Sequence, residues 1–319
     1  MTPTELLALQ RPGRRLTGAV VRAWVRIALA VAFSFAAVGT LAGCEPLNLD
    51  GFFYDPLKAP PGGYPEFSHA VIPDEMRIHI PSEGESLSGV VIPSSGRRAD
   101  ITLIYFHGQN SNLGTTWPRL EYLYPLGYNL VMVDPRGYGE STGTPTEAGL
   151  QADEHAIIVW VREHLNGNPK GLVFYGRSLG SGLAIDLAYQ QRADFDVSMI
   201  PAVLITESAF ASVSSFVNDA TYVELPSSFV SESAWDNLTK IKSVKAPYLL
   251  FHGTADDYVD PRYSDELAAA HPGLHELHRV EGADHTNVPE TMGLDAYRAA
   301  ISTFVEAAIP AAPPPAATP

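Results

Sequence analysis

Leu172-Val173-Phe174-Tyr175-Gly176-Arg177-Ser178-Leu179-Gly180-Ser181-Gly182 decides how this chain reads. A short apolar run, Leu172 to Tyr175, has the composition of a buried strand. It meets Gly-x-Ser-x-Gly and then a helical pattern over residues 179–189. A serine on a tight strand-to-helix turn needs strained backbone angles to push its hydroxyl out of the sheet. Glycines on either side leave room for that turn. The helix that follows points its first N–H groups at developing negative charge. The pentapeptide therefore predicts Ser178 as a nucleophile.

Working outward, strand-like and helix-like runs alternate. Residues 76–80 and 87–92 read as two early strands, followed by strands at 101–106, 129–133, 172–175, 202–206, 248–251 and 277–280. Helical patterns fall at 115–124, 147–164, 179–189 and 289–308. In the second of these, Ala152, Ala156, Val159 and Trp160 share one face. Such alternation predicts an α/β fold, a mainly parallel sheet with helices on both faces. The two early strands precede the first crossover, so they are expected as an antiparallel edge. Residues 209–245 interrupt the alternation. They are too few for a domain and read as a minimal cap within a unit spanning 69–309.

A serine hydroxyl is a weak nucleophile until a base takes its proton, and a carboxylate must orient that base. In chains with this kind of serine the order is Ser, acid, His. His252-Gly253-Thr254-Ala255-Asp256-Asp257-Tyr258-Val259 follows an apolar strand. Asp256 is the favoured acid, with Asp257, Asp260 and Glu207 as alternatives. Of the ten histidines, His285 alone follows the last strand in a loop, which selects it as the base. His271, His275 and His278 read as surface residues, and His107 and His252 as structural ones. An acyl-transfer intermediate also needs N–H donors for its oxyanion, each worth roughly 2.7–4 kcal/mol. Leu179 supplies one in this reading. Gln109, in His107-Gly108-Gln109-Asn110-Ser111-Asn112, supplies the other, although Ser111 or Asn112 suits a helix cap as well.

These pieces together resemble the Bem46-like and serine aminopeptidase-like α/β-hydrolases. The matching residues are Tyr105-Phe106-His107-Gly108, Asp134-Pro135-Arg136-Gly137-Tyr138-Gly139-Glu140-Ser141, the serine motif, Glu207-Ser208-Ala209-Phe210, His252-Gly253-Thr254-Ala255-Asp256 and His285. The resemblance implies the α/β-hydrolase fold and a Ser178–Asp256–His285 triad. It also implies hydrolysis of esters, thioesters or amides with no cofactor and no metal. Asp134 and Arg136 are expected to be loop structure. The chain departs from the family pattern at Gln109, where Asn is usual, and at Asp260, where Pro is usual. Cleavage of a small-molecule or lipid ester is the favoured reading; a peptidase or amidase, and a non-catalytic binding module, are the alternatives.

Residues 1–43 read as a leader. Arg11, Arg14, Arg15, Arg22 and Arg26 precede an uncharged, mostly apolar run that ends in Leu41-Ala42-Gly43-Cys44. That ending resembles the lipobox of bacterial lipoproteins, in which the cysteine is lipidated and anchors the mature chain outside the cytoplasm, in the cell envelope. Cys44 is the one cysteine in the sequence, so no internal disulfide forms. The run is also near the lower limit for a membrane span, so an uncleaved anchor is the competing reading. Residues 44–68, rich in Pro and Gly, read as a tether expected to lie partly on the domain. Residues 310–319 read as a disordered Pro/Ala tail. The chain has 36 acidic against 21 basic residues, a net of −15, and removing the leader makes it more acidic still. Phosphate binding needs clustered Lys and Arg, so nucleic acid is excluded as a partner.

Overall fold

The computed structural model describes residues 53–61, 63–64, 74–165, 171–189, 200–216 and 234–310. The expected leader, Cys44, much of the tether, the middle of the expected cap and residues 311–319 lie outside them.

Eight strands form one sheet in the order β1-β2-β4-β3-β5-β6-β7-β8. They are β1 (Arg77–Ser82), β2 (Glu85–Ile92), β3 (Thr102–Phe106), β4 (Asn129–Asp134), β5 (Leu172–Arg177), β6 (Val203–Glu207), β7 (Tyr248–Gly253) and β8 (His275–Val280). β1 pairs antiparallel with β2, and β2 antiparallel with β4. All other pairings are parallel. The antiparallel edge expected from the two early strands is present.

Between the strands run α1 (Leu113–Leu123), α2 (Glu147–His164), α3 (Leu179–Tyr189), the single turn α4 (Asn237–Lys240), α5 (Arg262–Ala270), α6 (Val288–Met292) and α7 (Leu294–Ala308). The central strands are buried on both faces, and alternate residues feed two separate cores. Ile104, Phe106, Phe174 and Leu204 pack with Leu150, Ile157 and Ile158 of α2 and with Leu183 of α3. Leu103, Tyr105, Val173 and Ile205 pack with Leu120 of α1 and with Tyr297, Ile301 and Phe304 of α7. This sandwich puts the C-terminal ends of β3, β5, β6, β7 and β8 on one rim, where the loops of interest emerge.

Local chemistry explains where elements begin and stop. α1 starts earlier than its apolar pattern suggests, because Asn112 and Thr115 close a reciprocal capping box. The final helical pattern is two helices. Gly293, at φ 86°, separates α6 from α7. β8 carries exposed and half-buried side chains because it is an edge strand, which hides its first two residues from a hydrophobicity reading.

Three further features bear on the rim. Tyr54, inside the expected tether, is fully buried. Its hydroxyl accepts from Trp235 Nε1 at 3.1 Å, and its carbonyl accepts from the Tyr138 hydroxyl. Nearby, Ala59 N donates to Gly139 O at 3.0 Å and Gly139 N to Leu57 O at 2.9 Å. The described part of this segment is thus built into the domain. The described ends of 209–245 are core as well: Ala209, Phe210, Val213, Trp235, Ile241 and Val244 are all buried. His271, expected at the surface, is buried instead. It lies at the end of α5, with its ring against Tyr248 and its Nε2 facing Ala246 O at 3.0 Å. Burial lowers its pKa.

Candidate active site

Ser178 sits between β5 and α3 at φ 52°, in the left-handed region that L-residues rarely adopt. The surroundings hold it there. Ser178 N donates to Glu207 O at 2.9 Å, and both N and Oγ of Ser181 donate to Ser178 O. A Cβ on Gly176 would lie 2.2 Å from Gly180 O, and a Cβ on Gly180 would lie 2.1 Å from Phe106 O. The two glycines are therefore required by close approach of the helix start to β5 and β3.

Across from Ser178 is His285, in the loop between β8 and α6. Ser178 Oγ is 3.0 Å from His285 Nε2, and His285 Nδ1 is 2.8 Å from Asp256 Oδ2. Asp256 leaves the end of β7 with its side chain fully buried. Its Oδ1 accepts from the N–H groups of Tyr258 and Val259 at 3.0 and 2.9 Å. Burial alone would raise its pKa. The charge of His285, with hydrogen bonds from His252 and His285, outweighs that and holds the carboxyl well below the usual carboxylate range.

His252 is a second histidine on the same carboxylate. Its Nε2 lies 3.2 Å from Asp256 Oδ2 and 3.1 Å from Val259 O, two acceptors. Nε2 must therefore carry the proton, and Nδ1 accepts from the Ser264 hydroxyl at 2.6 Å. Asp256 thus has four donors arranged around it.

Leu179 is the first residue of α3, so its N–H has no partner inside the helix. Gln109 follows β3 in the loop facing the serine turn, where a Cβ on Gly108 would lie 3.3 Å from Ser178 Cβ. The Gln109 side chain donates to the Tyr258 hydroxyl, and the Tyr258 ring lies 4.9 Å from that of His285. Burial, offset in part by the Gln109 donor, pushes the Tyr258 hydroxyl up to about 12.

Three candidate acids take other places. Asp257 is exposed. Asp260 Oδ1 accepts from Arg262 N at 2.9 Å. Glu207 is buried among Arg119, Arg177 and Tyr175. Of Ser111 and Asn112, the latter caps α1. Asp134 accepts from Leu113 N at 2.7 Å and from the Tyr64 hydroxyl at 2.9 Å, while Arg136 grips Asp153. Asp134 is the last residue of β4 and Arg136 lies in the turn after it, and each braces its surroundings through these bonds. Among the described residues, no group of three or more His, Cys, Asp or Glu side chains is arranged to hold a metal ion. No helix among them is long and apolar enough to cross a membrane.

The uncharacterised protein YfhR of Escherichia coli is 31% identical over 232 residues, covering 71% of this chain and 78% of that protein. Bem46 of Schizosaccharomyces pombe is 29% identical over 229 residues, covering 66% and 73%. The chain belongs to the Bem46-like α/β-hydrolases. Another relative is the human α/β-hydrolase domain-containing protein 17B, 28% identical over 197 residues, covering 60% of this chain and 62% of that protein. No curated family profile matches the chain. Two solved structures share the α/β-hydrolase fold. An α/β-hydrolase from Vibrio vulnificus superposes with a TM-score of 0.62 at 18% identity, covering 82% of this chain and 98% of that one. The esterase Pf2001 of Pyrococcus furiosus superposes at 0.59 with 20% identity, covering 77% and 98%.

In this Bem46-like chain the sequence reading missed His252 as a second partner of Asp256, Tyr258 beside His285, and the arginines around Glu207. His252 had a readable signal, a histidine four residues before the acid at the end of the same strand. The arginines had none, because Arg119 is 88 residues from the carboxylate it meets.

Proposed function

We propose that this chain is a serine hydrolase that cleaves carboxylic esters through an acyl-enzyme. The observation that carries the reading is the Ser178 hydroxyl on a left-handed turn, 3.0 Å from His285 Nε2, with Asp256 on the far side of that ring. Ser178 Oγ attacks the ester carbonyl as His285 Nε2 takes its proton. The N–H groups of Leu179 and Gln109 stabilise the tetrahedral oxyanion. Collapse breaks the bond to the alcohol, which leaves with the proton from His285. Water, deprotonated by the same ring, then attacks the acyl-enzyme and releases the acid. Asp256 keeps the imidazole in the right tautomer and balances its positive charge.

An acyl substrate suits the aromatic row beside the base. Phe53 meets Phe210 and Phe216 edge-on, and Phe216 lies 5.5 Å from Tyr258. Lipidation at Cys44 would hold this site beside a membrane and favour lipid-derived esters.

The test uses the chain from Glu45 onward, treated with a fluorophosphonate probe and mapped by mass spectrometry. Labelling at Ser178 that disappears in Ser178→Ala and His285→Ala supports the reading. A folded wild-type chain that takes no label overturns it. For the anchor, Cys44→Ser in the full chain should leave the detergent phase; if it partitions like the parent, lipidation at Cys44 is wrong.

A further inference from the structure

Glu207 ends β6 and is completely buried. Its Oε1 lies 3.1 Å from Arg119 Nη1 and 3.5 Å from Arg177 Nε. Its Oε2 accepts from the Tyr175 hydroxyl at 2.8 Å and from Arg119 Nη1 at 3.3 Å. The hydroxyls of Tyr175 and Tyr297 meet in turn, which ties the cluster to α7. A carboxylate this dry is stable only with such partners.

The free ends of the two guanidiniums are what matter for the site. Arg177 Nη2 donates to His285 O at 2.8 Å, and Arg119 Nη2 donates to Thr286 O. Consecutive carbonyls of the loop that carries the base are thus held by two arginines, one from α1 and one next to the nucleophile. Both arginines meet one carboxylate. The same residue also touches the nucleophile directly, since its carbonyl accepts from Ser178 N at 2.9 Å.

We infer that Glu207 is a positioning residue that sets Ser178 and His285 in register, its backbone holding the serine turn and its side chain holding the histidine loop through Arg119 and Arg177. The inference rests on the serine-hydrolase reading. The carboxylate fixes both guanidinium planes, and those planes fix the height of the loop. A displacement of about 1 Å between nucleophile and base costs on the order of 100-fold in rate. The arrangement sets the alignment of Ser178 with His285 and not the ester pocket, so the loss is expected on kcat and not on KM.

The experiment compares wild type, Glu207→Gln and Arg177→Lys in the chain from Glu45 onward. The rate of fluorophosphonate labelling at Ser178, kcat and KM on a p-nitrophenyl ester, and the low-field NMR signal of the His285 Nδ1 proton are read together. Circular dichroism establishes which variants are folded at the assay temperature. The expected result is a fall of roughly 10- to 100-fold in labelling rate and kcat, KM within about twofold, and a shifted or broadened imidazole signal. Arg177→Lys keeps the charge but cannot span Glu207 and His285 O at once, so it should behave like Glu207→Gln. It carries the test alone if Glu207→Gln does not fold. Folded variants that label and turn over like wild type, with the imidazole signal in place, overturn the inference and leave the hydrolase reading standing. Absence of labelling in wild type overturns both.

Discussion

Two loops face Ser178, and they are held in different ways. The loop carrying His285 is tied back to two buried carboxylates: Arg177 and Arg119 reach out to its carbonyls from Glu207, and Asp256 meets the ring. The loop carrying Gln109 is tied from upstream in the chain. Asn110 N donates to Asp55 O at 3.0 Å, and Asn110 Nδ2 to Asp55 Oδ2 at 2.5 Å, with both side chains exposed. Dry ionic contacts resist loss strongly because a partner left behind is an uncompensated charge, whereas wet ones are worth little each. The His285 loop is thus anchored on carboxylates in the interior of the domain. The Gln109 loop is held by Tyr258 on one side and, on the other, by a segment that resembles a linker in composition.

Substitutions can break this contrast in order of size. Asp256→Asn removes the orienting charge and should lower kcat by about 10⁴-fold, read against a p-nitrophenyl ester, with the fold intact by circular dichroism. A loss under tenfold would place the acid elsewhere. The same carboxyl gives a pH signature. Its folded pKa lies below the unfolded one, so its contribution to stability is full above about pH 3.9 and is lost as pH falls below that.

Glu154 sharpens the comparison from the opposite side. Like Glu207 it is fully buried, but neither of its oxygens has a hydrogen-bond partner among the described residues. Burial, reinforced by Asp186 and opposed by Lys240, raises its pKa well above the ordinary value. Its contribution to stability is therefore present below about pH 4.3 and is lost as pH rises through the folded value. Glu154→Gln should stabilise the protein increasingly as pH rises above about 4.3, where the unfolded carboxyl ionises and the buried one resists ionising. Thermal midpoints across pH 5 to 9 test it, and a gain that does not grow with pH counts against this account. At Glu207 the same Glu-to-Gln change should destabilise, because there the carboxylate has its partners.

The smallest expected effect is at the exposed tie. Asp55→Ala removes a side-chain hydrogen bond worth about 0.5–1.5 kcal/mol, so kcat should fall about twofold to tenfold. Steady-state assays at saturating ester measure it. No change would mean that the Gln109 loop stands without the Asp55 side chain, the backbone bond from Asn110 N to Asp55 O being enough.

The alternation of apolar strands and helices and the serine motif could be read from the chain, because each depends on neighbours a few residues apart, and the loops of Asp256 and His285 could be picked out by the strands they follow. The choice among Asp256, Asp257, Asp260 and Glu207 could only be weighed, since carboxylates in and around one loop look alike until one meets a ring. Arg177 occupies the variable position of the serine motif, where no residue type is demanded. Asp55 and Tyr54 lie in an aperiodic stretch that carries no local signal of burial.

By itself the sequence determined the α/β class, the strand–turn–helix at Ser178 and the short set of residues from which the site is drawn, since backbone sterics and hydrophobic periodicity act locally. Only the tertiary structure decided which carboxylate meets His285, that Glu207 gathers two distant arginines, and that an upstream segment completes the rim. Those contacts join residues far apart in the chain, and their strength comes from burial, which exists only once the sheet and its helices have closed around them.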